Sequence, residues 1–177
     1  MKKIIVDIDN TLWHFAPVLY ERMKEVNPDV IPFIDWNKFD FWKSFMPAKT
    51  FYSIIKGIHM DQEQFTPYPD AKLFLSSLKD LDFYIIIASH REKESLDATI
   101  NWLKKYGLVF HEIYLSFDKS VLFDDCWAVV DDSNFVLDKA ANAGIIGTGL
   151  KMPWNEHGNY MVFDNLIEIL KYLKGHT

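Results

Sequence analysis

The stretch Met1-Lys2-Lys3-Ile4-Ile5-Val6-Asp7-Ile8-Asp9-Asn10-Thr11-Leu12 decides how the rest of the chain is read. Ile4-Ile5-Val6 is β-branched and strand-sized, and two acids stand at its exit. Residues i and i+2 of an extended chain face the same side. Asp7 and Asp9 are therefore expected to share one crevice while Ile8 faces the packing. Two carboxylates held together repel unless a cation or a shared proton lies between them, and a hard divalent ion with oxygen ligands is the usual partner. Asp and Asn also open turns, so Asp7–Leu12 alone fits either a metal crevice or a plain turn.

The chain has 177 residues, 49% hydrophobic and 25% charged, which suits one soluble domain with room for a modest insertion. A net charge of -6 and a pI near 5.4 argue against a nucleic-acid polymer or an acidic membrane as partner, since both call for a basic face. The apolar runs fall short of the ~20 residues of a membrane span. No signal-peptide core precedes Asp7, and the expected location is cytoplasmic. Cys126 is the single cysteine, which rules out an internal disulfide and leaves a thiol expected in the core. Aromatic residues reach 16%, and many fall between Trp13 and Phe51.

Outward from the opening stretch, Phe15, Val18, Leu19, Met23 and Val26 recur at helical spacing, and Asn27-Pro28 closes that helix. From Asp29 to Pro69 the prolines at 32, 47, 67 and 69 divide the chain into short helical pieces, Asp35–Phe45 and Ala48–Lys56 among them. Residues 15–67 therefore read as a small helical insertion, and 1–14 with 68–177 as the core. From Asp70 the pattern becomes regular. Helices are expected at Ala71–Leu81, Glu92–Tyr106 with Gly107 as C-cap, around Asn134–Asn142, and at Leu166–Leu173. Strands are expected at Phe83–Ala88, Ile113–Leu115, Trp127–Val130, Ile145–Thr148 and Tyr160–Phe163.

Short apolar strands alternating with helices predict a doubly wound α/β fold, a parallel sheet covered on both faces. Ligands then belong at the C-terminal strand ends. Three strands independently deliver polar residues there: Asp7 and Asp9, then Ser89-His90-Arg91, then Asp131-Asp132-Ser133.

Taken in order, Asp7-Ile8-Asp9-Asn10-Thr11-Leu12, Ser89, Lys119 and Asp131-Asp132 resemble the four motifs of the haloacid dehalogenase-like superfamily of phosphohydrolases. That resemblance implies Asp7 as nucleophile, forming an aspartyl-phosphate, and Asp9 as general acid and base. It implies magnesium on the Asp7 carboxylate, the Asp9 backbone carbonyl and a carboxylate of Asp131-Asp132, with the family pattern selecting Asp132. Lys119 would offset phosphoryl charge, and Ser89, with backbone N–H groups beyond the first strand, would hydrogen-bond the phosphoryl oxygens. Asn10 falls in the same loop. His90 and Arg91 are read either as substrate contacts or as solvated residues opening a helix.

A closer likeness is to the 5′(3′)-deoxyribonucleotidases. It rests on Asp118-Lys119-Ser120, Asp125, Val129-Val130-Asp131-Asp132 and Pro153-Trp154-Asn155, and on the helical insertion after the first motif. That family has Gly-Val where this chain has Asn10-Thr11, and Thr-Ser-Pro where it has Ala88-Ser89-His90. The opening also resembles the magnesium-dependent phosphatase-1 group, which carries a much smaller insertion. The implied partner is a small phosphate ester, a deoxynucleotide or similar molecule. A homodimer is a candidate assembly on which the sequence is silent. Trp36, Phe39, Trp42 and Phe45 recur every three residues, so one helical face of the insertion is expected to be aromatic. Those rings either pack the insertion or, through Trp36 and Trp42, stack on a base.

Overall fold

The computed structural model describes residues 1–176; Thr177, the last residue of the expected core range, lies outside them. In chain order the elements are β1 (Lys2–Val6), α1 (Phe15–Val26), α2 (Ala48–Met60), α3 (Ala71–Asp80), β2 (Phe83–Ser89), α4 (Leu96–Lys105), β3 (Glu112–Leu115), β4 (Cys126–Val130), α5 (Asn134–Asn142), β5 (Ile146–Leu150), β6 (Met161–Phe163) and α6 (Leu166–Lys174). Six strands form one sheet in the order β3-β2-β1-β4-β5-β6, and every neighbouring pair is parallel.

The period of two along each strand sorts side chains between two cores. Ile4, Val6, Ile85, Ile87, Ala128 and Val130 belong to the larger core, with α3, α4, α6 and the inserted helices. Ile5, Ile86, Ala88 and Val129 face the smaller one, built on Val136 and Ala140 of α5. β1 is buried on both faces, as a central parallel strand requires. From β1 the chain winds outward to β2 and β3, then returns to β4 on the other side. Strand order thus reverses between β1 and β4, where open α/β sheets bind ligands. Asp7 follows β1 and Asp131 follows β4, and the Asp7 N–H donates to the Val130 carbonyl at 2.9 Å.

Residues 15–67 leave and rejoin the sheet at one point. Trp13 pairs with Pro67 in an isolated antiparallel bridge, and the Tyr68 N–H donates to the Leu12 carbonyl at 2.8 Å. α1 matches its expected bounds, and α2 runs past the expected Lys56 to Met60. The expected helix Asp35–Phe45 is absent, replaced by two short 3₁₀ turns at Phe33–Asp35 and Phe41–Ser44. Spacing of three is also the repeat of a 3₁₀ turn, and here aromatic packing overrides the α-helix. Trp36 takes extended backbone angles at the end of the first turn. Its indole N–H donates to the Ile31 carbonyl, and its ring stacks on Phe41 at 3.7 Å. The four rings do not share a face, because Trp36 and Trp42 are buried whereas Phe39 is 40% exposed.

Two glycines test this architecture from opposite directions. A Cβ at Gly149 on β5 would overlap the Asp131 carbonyl oxygen, whereas a Cβ at Gly57 on α2 meets nothing within 4 Å. Gly149→Ala is expected to destabilise by about 1–3 kcal/mol through overpacking. Gly57→Ala should stabilise by about 0.5–1 kcal/mol through reduced chain entropy. Denaturant unfolding of both variants checks the pair.

Candidate active site

The strand ends at the reversal point bring three carboxylates together. Asp7, Asp131 and Asp132 are buried, and each offers an oxygen within 4.8 Å of the others. Adjacent residues at a strand end are expected to diverge, yet Asp131 and Asp132 both reach the group. Asp131 stays in the sheet register, its N–H donating to the Thr148 carbonyl at 3.0 Å. The carbonyl of Asp132 is held by two side chains of Pro153-Trp154-Asn155, at 3.1 Å from Trp154 Nε1 and 3.0 Å from Asn155 Nδ2.

Lys119 supplies the one ammonium inside this group. Its Nζ lies 2.5 Å from Asp7 Oδ1 and 2.6 Å from Asp131 Oδ2. Asp118 builds the turn that presents it, accepting from the Ser120 N–H and hydroxyl, a local bond typical of Asx turns. One cation against three carboxylates leaves a buried negative excess. Burial pushes the Asp7 carboxyl up to about 7 against the opposing pull of Lys119, with Asp131 and Asp9 adding to the rise. Burial and the neighbouring Asp131 and Asp7 hold the Asp132 carboxyl well above its usual range. The Lys119 ammonium moves upward, because its two carboxylates outweigh the cost of burying it.

Asp9 stands apart from this group. Its Oδ1 accepts from Trp13 Nε1 at 2.9 Å and Arg91 Nη2 at 2.8 Å. Its Oδ2 lies 2.9 Å from both Arg91 Nη2 and His59 Nε2. Although burial opposes ionisation, Arg91 and His59 hold this carboxyl far below the usual carboxylate range. An ionised carboxylate only accepts, so His59 Nε2 carries the proton between them.

Arg91 is buried rather than solvated, and although it lines the cavity its guanidinium is engaged within the protein. Nε donates to Ser89 Oγ, Nη1 to Thr99 Oγ1 and Gln62 Oε1, and Nη2 to Asp9. A guanidinium has five N–H groups, and these bonds engage all of them. Ser89 is correspondingly drawn inward and fully buried. Asn10 likewise bonds within the protein at both ends of its amide, from Nδ2 to Asp132 Oδ2 at 2.9 Å and from the Ala16 N–H to Oδ1 at 2.8 Å. Its φ of 55° lies in the left-handed region that Asn and Gly tolerate best, which explains how Asn replaces Gly here. His90 lines the cavity, and burial together with Lys119 lowers its pKa to about 4. It is therefore a neutral ring beside the ammonium.

A cavity of about 860 Å³ opens over these groups, lined by Asp7, Asp9, Lys119, Asp131 and Asp132 on the sheet side and by the inserted segment opposite. Trp36 and Trp42 both line it, but each already has a ring against it, Phe41 at 3.7 Å and Phe51 at 4.4 Å. The exposed rings at the cavity are Phe39, Tyr52, Phe117 and Phe135, at 40%, 51%, 68% and 60%. Sequence reasoning missed His59, Gln62, Thr99 and the contact of Trp13 with Asp9. Only His59 carried a usable signal, since Phe51, Ile55 and His59 stand at i, i+4 and i+8 of one helix. Cys126 is half-buried and packs against the smaller core, and burial pushes its thiol up to about 11.

Solved structures share this fold across the whole chain. A predicted phosphoglycolate phosphatase from Haemophilus somnus is 17% identical with a TM-score of 0.67, 97% of each chain being covered. A HAD family hydrolase from Deinococcus radiodurans, with bound phosphate and sodium, is 16% identical with a TM-score of 0.62, covering 98% of this chain and 95% of that one. D,D-heptose 1,7-bisphosphate phosphatase from B. bronchiseptica, complexed with magnesium and phosphate, is 16% identical with a TM-score of 0.55 over 100% of both. No protein-family model and no curated protein sequence matches the chain. The chain has the haloacid dehalogenase-like α/β fold, a six-stranded parallel sheet flanked by helices. Among the described residues, no helix is long and apolar enough to cross a membrane.

The donors fit a hard divalent cation. Asp7 Oδ2 and Asp132 Oδ1 take no hydrogen bond from the described residues, and a dication would balance three carboxylates and one ammonium. Without metal, a carboxyl whose folded pKa lies above its unfolded value supports the fold fully below the unfolded pKa. That support is lost as pH rises through the folded pKa. In chelator the melting temperature should therefore fall between pH 5 and 8, on account of Asp7 and Asp132. Magnesium should remove the fall, and Asp132→Asn should abolish the magnesium-dependent gain. Calorimetric melts across that range read all three effects.

Proposed function

We propose that the chain is a magnesium-dependent phosphomonoesterase for small phosphate esters, with a nucleotide as its substrate class, working through an aspartyl-phosphate on Asp7. The observation that carries this reading is the buried Asp7–Asp131–Asp132 group with Lys119, set at the floor of a large cavity. Asp7, Asp131 and Asp132 would hold the magnesium ion, which supplies charge neutralisation for the phosphoryl oxygens when bound.

The remaining chemistry belongs to the chain's own residues. Asp7 Oδ2 attacks phosphorus in line, forming the aspartyl–phosphorus bond as the ester bond breaks. Water then attacks the same phosphorus, the Asp7 carboxylate departs, and inorganic phosphate is released. Lys119 stays against Asp7 Oδ1 and steadies negative charge through both steps. Asp9 as found is an ionised acceptor, suited to take a proton from the attacking water. To protonate the leaving oxygen first, it must yield one of its four hydrogen bonds and take up a proton. His90, neutral and lining the same cavity, is a polar group available to bond a phosphoryl oxygen, Ser89 being committed to Arg91.

A nucleotide suits the cavity because ten of its 27 lining residues are Phe, Tyr or Trp and its volume of about 860 Å³ exceeds what a bare phosphate needs. Residues 15–67 then act as a cap over the core, excluding bulk water. A non-nucleotide ester is the second reading, favoured by the likeness of Asp7–Trp13 to the magnesium-dependent phosphatase-1 group and opposed by the longer insertion. A dehalogenase has no use for the acid at Asp9 or the further carboxylate at Asp132. A non-catalytic binder would have no need to bury three carboxylates around a lysine.

Turnover of a phosphate-ester panel that includes 5′- and 3′-deoxynucleotides tests the reading. Asp7→Asn is expected to lower kcat by at least about 1,000-fold while the protein stays folded; a variant with the wild-type rate would remove the covalent mechanism. The ring contacts have their own test. Phe39→Ala and Phe135→Ala should each raise KM for a nucleotide by roughly 5–30-fold, the loss of one stacking partner, with a small aryl phosphate almost unaffected. Trp36→Ala should instead cost about 3–5 kcal/mol of stability as a packing loss. If all three variants treat the nucleotide and the aryl phosphate alike, the exposed rings are packing and not recognition.

A further inference from the structure

The carboxylate of Asp9 is held by groups from two parts of the chain. Trp13 and Arg91 reach it from the core, whereas His59 reaches it from α2 in the inserted segment. His59 is 3% exposed, and its Nε2 lies 2.9 Å from Asp9 Oδ2. Its ring also lies against Phe15 of α1, at 5.7 Å between centroids. The contact is thus built into the junction between insertion and sheet.

The face of α2 that carries His59 does a second thing. Phe51, Tyr52, Ile55, Lys56 and His59 all line the cavity, and their spacing along the sequence places them on one helical stripe. The first four stand where the body of a substrate would lie, and the fifth holds the acid. A helix is stiff over two turns, so a shift of α2 driven by contacts at Phe51 or Tyr52 is passed to His59 and through it to Asp9. Of the two carboxylate oxygens, Oδ2 has, among the described residues, His59 and a shared Arg91 nitrogen as its only partners. Loss of His59 leaves that oxygen loosely held.

We infer that His59 is a positioning residue for Asp9, through which α2 couples the fit of the substrate's body to the placement of the acid–base carboxylate. The inference rests on the phosphatase reading above and deepens it: a substrate large enough to seat α2 gains in kcat as well as in KM. A small aryl phosphate touches less of that stripe and gains less. Binding energy from the non-reacting part of the substrate is thereby spent on orientation at the reacting centre.

The test compares wild type, His59→Ala and His59→Gln on a nucleotide that wild type hydrolyses and on a small aryl phosphate. Gln can place its amide nitrogen near the position of Nε2 and donate to Asp9. His59→Ala is expected to lower kcat for the nucleotide by about 100-fold, the scale of a small misplacement at a reacting centre. The aryl phosphate should lose only about a tenth as much, and KM for both should stay within about threefold. His59→Gln should recover most of the loss. Equal losses on both substrates, a loss carried by KM, or a Gln variant no better than Ala would each overturn the coupling. Should His59→Ala fail to fold, His59→Gln against His59→Leu gives the same comparison with a filled site. A wild-type chain inert toward the whole ester panel would remove the phosphatase reading, and this inference with it. An active wild type with any of the overturning results removes this inference alone.

Discussion

Three carboxylates buried around one ammonium are the constraint on which the rest of the molecule depends. Two unit charges about 4 Å apart at an effective dielectric of about 20 interact by about 4 kcal/mol, a large share of the roughly 5–15 kcal/mol that holds an ordinary domain folded. Asp7, Asp131 and Asp132 cannot be held together for free, and the surroundings are organised to limit the repulsion. Lys119 bridges two of them, and the Asn10 amide donates to the third. The remaining excess fits a cation. The sheet supplies rigidity, since these residues hang from adjacent strands that are fully buried at their C-terminal ends and cannot slip by one residue without turning their apolar side chains outward.

The fold was legible because its signals are local and repeated. Each core strand announced itself as a short apolar run, each core helix by its spacing, and Gly107 marked a helix end with φ of 62°. The acids at the strand ends were legible for the same reason, being fixed to elements whose direction the pattern sets. The aromatic stretch from Trp36 to Phe45 was misread because a spacing of three suits an α-helical face and a 3₁₀ turn alike. Only the tertiary packing of Trp36 against Phe41 and Trp154 decides between them. Arg91 and Ser89 were placed correctly at the end of β2, but their bonding could not be foreseen. Gln62 and Thr99, which engage the guanidinium, come from segments whose proximity no local pattern encodes.

On the phosphatase reading proposed above, the insertion belongs to the chemistry as much as to the enclosure. Were it only a cover, its contacts with the core would be apolar and interchangeable. Instead one of its helices places a buried histidine on Asp9, and its aromatic stretch lays Trp36 at 6.3 Å from Trp154, the residue whose indole N–H holds the Asp132 carbonyl. On that reading, substrate enclosure and carboxylate geometry are linked at both ends of the site. The fold alone does not impose this, since folds of this kind host many chemistries by varying what is grafted on them.

Arg91 has a consequence for how the molecule breathes. Its guanidinium ties Ser89 on β2, Asp9 beyond β1, Thr99 on α4 and Gln62 just beyond α2 into one knot, with no N–H left over. Segments that would otherwise fray one at a time share a single fastening, and parting any of them strands a buried charge. Fluctuations that expose the cavity floor are thereby gathered into one rare, cooperative opening instead of many small ones. Amide hydrogens around Gln62 and on α4 are then expected to exchange as one unit, although some thirty residues of chain lie between them.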